Sequence, residues 1–460
     1  MRTRAVRKGF AFALALGLAA VSLPLRADDF LFYEVGARAA ALGGAFTARA
    51  DDVTAIFYNP AGLAFLKGLR LKTNLAIGKR TNNIYLPEYD VNFGSNPREY
   101  LQNIFLSWQP VKGISLGLGY FSPYNFDSLW ASPYWTGDEI SKAAKMRSYN
   151  LRTALSIEVL KGLAVGVALD VVSTSVHWEH SLLFEPGNVT LPEETKVSCR
   201  HLLSGHGLGF TASALWKVLP AVQVGARYQK SVAVKLTGQN EFTFDMEAAQ
   251  NYIPGPDGYV SVGFLLGLFY VPQHVTGKLT LPQELACGVA LTPIPRLSLY
   301  LDVQWDKWSE FGPWQFSSVN TDENLAPGFN STYREFYGIS PNYGTQGVDL
   351  MLRDSVKFKS GAEYRVGRWF ALRAGFARNK SSIKAADRGP LYPDLDYNVY
   401  TFGGGYEGPM YDEDNVIGQL SLDLFVRYGS AAKAPSMLSG MEAIYGAKRW
   451  TVGAGLGFGF

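Results

Sequence analysis

A few groups of residues carry side chains able to do chemistry. His177-Trp178-Glu179-His180 offers two imidazoles and a carboxylate, a donor set that zinc accepts. The residues around it alternate as a strand does, and on a strand successive side chains leave on opposite faces, so the donors do not converge and no metal is expected. Ser204-Gly205-His206-Gly207 puts a serine near a histidine but lacks the strained elbow that exposes a hydrolase nucleophile. No catalytic constellation and no cofactor are expected. Cys199 and Cys287 are the only cysteines, and a disulfide or two free thiols fit the sequence equally well. Arg152, Arg227, Lys357, Lys359 and Arg373 fall at strand positions that also hold Asp170, Asp302, Glu363 and Asp423. They read either as a site that attracts a carboxylate headgroup or as a network of charges that cancel one another.

The elements that must position these groups are strands. Hydrophobic residues make up 47% of the chain and aromatics 14%, yet mean hydropathy is −0.01 because apolar and polar residues interleave. Leu69, Leu71, Thr73, Leu75 and Ile77 alternate with Arg70, Lys72, Asn74, Ala76 and Gly78. Leu163, Val165, Val167, Leu169 and Val171 alternate with Ala164, Gly166, Ala168 and Asp170, and the same pattern runs through Leu297–Asp306 and Leu420–Arg427. One face is apolar throughout while the other bears charge, as in a strand with lipid on one side and a wet lumen on the other. Charge is nearly balanced, 43 Lys+Arg against 40 Asp+Glu, so nucleic acid is not an expected partner.

Arg2, Arg4, Arg7 and Lys8 precede an apolar run from Phe10 to Leu23, and Leu25-Arg26-Ala27 offers a cleavage site, so residues 1–27 read as an export signal. No later run of about 20 apolar residues exists for a spanning helix. Short turns at Gln109–Gly113, Leu160–Gly162, Leu219–Pro220, Thr292–Arg296 and Val366–Arg368 alternate with long stretches such as Pro123–Lys145 and Gly238–Thr276. That parity gives an antiparallel transmembrane β-barrel of about fourteen strands over residues 67–460, periplasmic turns short and outer loops long. Trp450, Val452, Ala454, Leu456, Phe458 and Phe460 form one face of a last strand that ends the chain, as ring closure requires. Trp108, Tyr120, Trp216, Tyr228, Trp305, Trp369 and Tyr428 fall near strand ends, where aromatic girdles sit.

Residues 28–66 break the alternation and are rich in Ala and Gly. Fourteen strands enclose a cylinder roughly 28 Å across, too wide for side chains to fill, so this segment is expected to plug it as a hatch. Gly43, Gly44, Asp51, Asp52 and Asn59-Pro60-Ala61 are its marked residues. Outside, Gly263–Tyr270 places Phe264, Leu265, Leu266, Leu268 and Phe269 in an apolar stretch that reads either as a first contact for a ligand or as packing over the barrel mouth.

These residues resemble the FadL-type outer-membrane transporters of long-chain fatty acids and aromatic hydrocarbons. The resemblance rests on Gly36–Leu63, with its G-G-A, A-D-D and N-P-A in order, and continues in Leu116–Pro123, Leu281–Trp308, Asp354–Gly375 and Tyr392–Tyr406. It implies a fourteen-stranded barrel of the Gram-negative outer membrane, with an Asn-Pro-Ala turn against an inward kink of the third strand. Gly117, Gly119 and Pro123 mark that kink here, although Pro123-Tyr124-Asn125 stands where members often carry Gly after the aromatic. It further implies capture of a fatty acid or hydrocarbon by outer loops, binding in the lumen, and sideways exit into outer-membrane lipid. The barrel assembly machinery is the partner expected during biogenesis. A barrel scaffold of a secretion or envelope complex is the alternative, and an outer-membrane hydrolase ranks third for want of a triad.

Overall fold

The computed structural model describes residues 34–460 apart from 133, 188, 192–193, 245–246, 319–330, 338–344 and 413–414. The expected export signal, 1–27, and the first hatch residues, 28–33, lie outside the described residues. The described chain forms fourteen antiparallel strands: β1 (Leu69–Leu86), β2 (Arg98–Val111), β3 (Ile114–Phe121, then Phe126–Leu129), β4 (Ala143–Leu160), β5 (Leu163–Leu183), β6 (Lys196–Leu219) and β7 (Val222–Gln229, then Val232–Phe244). They continue as β8 (Gln273–Leu281, then Glu284–Ile294), β9 (Leu297–Asp306, then Trp314–Ser318), β10 (Thr345–Val348, then Ser355–Val366), β11 (Phe370–Asn379), β12 (Tyr397–Asp412), β13 (Asn415–Ala431) and β14 (Met441–Gly459).

Each strand pairs with its sequence neighbours, and β14 pairs back onto β1 from Arg70↔Gly459 to Tyr85↔Ile444. Leu69 N donates to Phe460 O at 3.1 Å and Phe460 N to Leu69 O at 2.8 Å, so the last residue completes the seam. A hydrocarbon layer offers no hydrogen-bond partners, which is why the sheet has to close. No helix among the described residues is long and apolar enough to cross a membrane.

Alternation sets the faces as the sequence indicates. In β5, Val165, Val167, Leu169 and Val171 are exposed, whereas Ala164, Ala168 and Asp170 point inward and are buried. The same strand shows where the membrane ends, since its outward residues change from apolar to Ser173, Ser175, His177 and Glu179. Val171 pairs with Leu208 and Ser173 with His206 on β6, so both strands leave the hydrocarbon at one level. Above it the wall continues as a paired rim, and several stretches expected to be outer loops are partly strand: β1 runs to Leu86 and β7 to Phe244. The two cysteines are free. Cys199 faces the lumen and is buried, and Cys287 lies on the outward face of β8.

Removing Phe460 deletes both terminal hydrogen bonds of the seam. The truncated chain is expected to give markedly less heat-modifiable barrel in outer membranes than the full chain, read as the gel-shifted fraction. An unchanged fraction would show that closure does not depend on this residue.

Candidate functional site: hatch, lumen and wall breach

The N-terminal segment enters the barrel and packs on its inner wall. Helix α1 (Ala37–Ala41) carries alanines on every side, and all five of its residues are buried. Gly43 and Gly44 follow with φ of +67° and +79°, a region L side chains avoid. A Cβ on Gly43 would also lie 2.9 Å from both the Phe376 amide and the Ser360 carbonyl. The wall answers with glycines of its own. Gly166 on β5 passes the Ala61 amide, Gly225 on β7 passes the Thr47 carbonyl, and Gly361 and Gly375 on β10 and β11 flank Leu42, each with no room for a Cβ.

Helix α2 (Ala55–Tyr58) leads into the Asn59-Pro60-Ala61 turn. Asn59 Nδ2 donates to the Thr47 and Ala214 carbonyls at 2.8 and 3.0 Å, and its Oδ1 accepts from the Ala61 amide at 3.2 Å. Ala61 N donates to Ser213 Oγ at 3.0 Å, and Ser156 Oγ donates to Ala61 O at 2.9 Å. The turn itself therefore braces β4, β5 and β6. Contact with the third strand falls to its neighbours: Gly117 and Gly119 have no Cβ where Ile56 and Leu63 press against them. The turn's hydrogen bonds to the wall thus go to β4 and β6, and the short helix that begins at Pro60 meets β3 through Leu63.

Charges join hatch to wall in a continuous chain of ion pairs. Asp52 pairs with Lys72 at 2.8 Å, Lys72 with Asp423 at 2.8 Å, and Asp423 with Arg373 at 2.7 Å. Arg373 pairs with Glu363 at 2.7 Å, Glu363 with Arg38 at 3.1 Å, and Arg38 with Asp51 at 3.1 Å, while Arg49 caps the chain at Asp51 with 2.7 Å. Four cations meet four anions. Burial on its own would raise the Asp52 carboxyl, but Lys72 and Arg38 outweigh it and hold it at about 2.

Towards the outside, a second set of pairs covers the top of the hatch. Arg152 grips Asp170 at 2.6 and 3.1 Å and donates to the Ile56 and Phe57 carbonyls at 3.2 and 3.3 Å. Arg227 pairs with Glu284 at 2.6 Å and donates to Phe57 O at 3.1 Å. Lys357 pairs with Asp306 at 2.8 Å and Lys359 with Glu34 at 3.0 Å. Asp302 instead accepts the Phe46 and Thr47 amides at 2.8 and 2.7 Å.

The wall is breached at β3. Strand β2 pairs with β1 from Arg98 to Trp108, but with β3 only between Ile104 and Val111. Beyond Phe121 the third strand breaks, and its upper piece pairs with β4. The break is built by side chains: Asn125 Nδ2 donates to Ser122 O at 2.6 Å, Asn125 Oδ1 accepts from Ser148 N at 2.8 Å, and Ser122 Oγ donates to Ser148 O at 2.6 Å. Pro123 lies inside this break, and Tyr124 and Phe126 turn into the lumen. Tyr124 OH donates to Glu284 at 2.6 Å, its ring meets Trp308 edge-on, and Phe126 packs against Trp314 and Tyr392. Between the kink and Phe57 lies a cavity of about 20 Å³, bounded also by Trp308, Lys357 and Lys359. That is room for roughly one water.

The outer apolar stretch forms helix α3 (Val262–Phe269), capped by Ser261. Leu265, Leu266, Leu268 and Phe269 are buried, the first two and Phe269 in a cluster with Phe184, Val197, Ile253 and Tyr337. Phe264 is exposed, with its ring against Tyr333. Three of the five residues that read as a ligand contact or as packing thus cluster in a cap over the rim, and Leu268 is buried as well.

Residues 27–424 match the family described as outer membrane protein transport protein (OMPP1/FadL/TodX). The chain belongs to this family. A putative outer membrane protein of Neisseria meningitidis serogroup B is 21% identical over 406 residues, 81% of each chain. Among solved structures, a FadL homologue of Pseudomonas aeruginosa shares the fold with a TM-score of 0.73 at 18% identity, over 95% of this chain and 99% of the other. The toluene transporter TodX of P. putida follows with 0.67 at 16% identity, over 94% and 99%. The toluene transporter TbuX of Ralstonia pickettii gives 0.61 at 16%, over 91% and 97%. Membership in the FadL/TodX family places the chain in the outer membrane as a channel for hydrophobic compounds.

Against this FadL/TodX frame, the marked hatch residues meet at the lumen wall, and Arg152, Arg227 and Arg373 all end in ion pairs. Of the residues that make the break, Ser122 was not singled out in the sequence, and Asn125 and Tyr124 were marked only as a departure from the family pattern, not for the kink hydrogen bonds or for the reach of Tyr124 over 160 residues to Glu284. Nor was the approach of Cys199 and His201 to His180 across the β5–β6 pairing.

Arg38→Met leaves Glu363 and Asp51 short of a partner inside the lumen, at a cost of about 3–5 kcal/mol to hatch docking. Planar-bilayer conductance is expected to rise while the barrel stays heat-modifiable; wild-type conductance would count against the ion-pair chain as the lock. Since Asp52 is held below its unfolded value, its stabilisation is complete above about pH 4 and lost as pH falls towards 2. Conductance of the unaltered protein is expected to stay flat from neutral pH to about 4 and to climb below that.

Proposed function

We propose that this protein carries small uncharged hydrophobic molecules from the cell exterior through the upper lumen and out sideways into the outer membrane. The observation that carries the reading is the breach between β2 and β3. It opens above the Ile104↔Tyr120 pair, near the level at which β4 and β5 leave the hydrocarbon, and the lumen behind it is walled by Tyr124, Phe126, Trp308, Trp314, Phe316 and Tyr392. A hydrophobic molecule that leaves here passes into lipid instead of periplasmic water, a gain of roughly 0.8 kcal/mol for each methylene buried. The hatch meanwhile stops the straight route downward.

The preference for an uncharged ligand comes from the ion pairs. Arg227, Lys357 and Lys359, the cations nearest the kink cavity, are each held by a carboxylate. An incoming fatty-acid anion has to displace one of those partners and strand it, which costs several kcal/mol. A neutral aromatic or aliphatic hydrocarbon disturbs none of them. TodX and TbuX, toluene transporters of the same fold, agree with this choice.

The test uses cysteines at 56 and 117, where Ile56 Cγ1 lies 2.8 Å from the position of a Gly117 Cβ, in a Cys287→Ser background. Oxidation should cut saturable uptake of radiolabelled toluene at least tenfold, and reduction should restore it. In the reduced protein, unlabelled neutral hydrocarbons should compete and oleate should not. Full uptake by the cross-linked form overturns the passage between hatch and wall; preferential competition by oleate overturns the neutral ligand.

A further inference from the structure

High on the rim, three potential ligand atoms converge. His180 stands near the top of β5, and Cys199 and His201 stand two apart on β6, with His180 registered opposite Cys199 and Trp178 opposite His201. All three side chains point inward and are buried, Cys199 and His201 completely. His180 Nε2 is 3.4 Å from His201 Nε2, Cys199 Sγ is 3.4 Å from His201 Nε2, and all the ligand atoms lie within 4.8 Å of one another.

The nitrogen–nitrogen separation is long for a hydrogen bond, while the sulfur–nitrogen one suits a thiol–imidazole contact. Both 3.4 Å separations are also near the edge of a zinc tetrahedron, whose zinc–nitrogen bonds of about 2.0–2.1 Å set ligands about 3.3–3.4 Å apart. The rings are also held in place. Trp178 stacks on His180 at 4.1 Å and 19° and on His201 at 5.1 Å and 20°. Gln346, on the upper piece of β10, brings Oε1 to 3.4 Å from the cysteine sulfur. Trp178 and Phe316 give the site apolar surroundings.

We propose that His180, Cys199 and His201 bind one thiophilic d10 cation, Zn2+ or Cu+. Two imidazoles and one thiolate are the donors such ions prefer over Ca2+ or Mg2+, and Gln346 or a water completes the shell. Binding ionises the thiol: the sulfur–metal bond forms as the S–H bond breaks, and one proton leaves to solvent for each metal bound. The site joins two packed regions. Val197, two residues before Cys199, belongs to the apolar cap that includes α3, whereas Trp178 and Phe316 belong to the aromatic lumen. A bound ion therefore clips the mouth of the passage where the cap meets the wall.

The test uses full-length protein in detergent, carrying Cys287→Ser so that one thiol remains, stripped with a chelator. Zn2+ is titrated against a chromophoric zinc indicator, and Cu+ against a copper(I) chelator under anaerobic reducing conditions. One equivalent of one or both ions is expected, with one proton released, and Cys199→Ser or His201→Gln should weaken binding by more than about 100-fold with heat-modifiability retained. Saturation by zinc or by copper(I) alone identifies which ion is preferred and supports the site. Co2+ reports on the unsubstituted triad, since thiolate ligation gives a sulfur-to-cobalt charge-transfer band. The proposal is overturned if both ions fail to bind saturably and Co2+ gives no such band, or if the substituted proteins bind as tightly as the parent.

Discussion

Within a hydrocarbon layer every backbone amide and carbonyl must find its partner inside the protein, and the rest of this structure follows from how that demand is met. Thirteen neighbouring pairings and the β14–β1 seam meet it with regular ladders. At the breach the ladder stops and side chains take over. Arg147 Nη1 donates to the Phe126 and Met146 carbonyls at 3.1 Å, Arg80 donates to Asp127 O, and the Leu129 amide donates to Ser95 Oγ at 3.0 Å. An opening in a barrel wall is stable only where such donors and acceptors line it. That ties the position of an exit to a few polar residues near the outer girdle, where Tyr120 and Tyr149 stack.

The hatch meets the same demand differently. Short helices and turns leave many backbone groups without partners, and the wall supplies them through Ser156, Ser213, Asp302, Asn74 and Thr401. Close approach is possible because both surfaces are small: alanines on the hatch, glycines on the strands. The fit is steric and polar together, and it is backed by one buried apolar cluster in which Leu42, Phe46, Ile56 and Leu63 of the hatch meet Phe105, Phe121, Leu215 and Tyr300 of the wall.

Much of this was legible in the sequence because alternation is a local signal. Val165 to Val171 announce their lipid face with no knowledge of partners, and Phe460 announces closure by standing at the end of an alternating run. The hatch was legible from composition, as the one Ala/Gly-rich stretch without period two. The break in β3 was legible only as a place: Pro123 interrupts a strand, but that Ser122 and Asn125 build the kink depends on the backbone of Ser148, across a hairpin. The chain of ion pairs from Asp52 through Asp423 to Arg38 links residues more than 300 positions apart, and nothing in either neighbourhood names the other. His180 was seen beside His177, its neighbour in sequence, when its real neighbours are set by strand register. A helical reading would have had the same weakness, since register is a property of two chains of residues and not of one.

The charges of the hatch have a further consequence. The expected hatch, residues 28–66, carries Arg38 and Arg49 against Asp28, Asp29, Glu34, Asp51 and Asp52, so its own charge is acidic and part of the balance is supplied by Lys72 and Lys359 of the wall. An electric field does work on a moving part in proportion to the net charge displaced, about 2.3 kcal/mol per elementary charge for each 100 mV. A plug that leaves its balancing lysines behind therefore moves as an anion, and a voltage across the membrane acts on it alongside the strands it touches and any molecule lodged above Phe57.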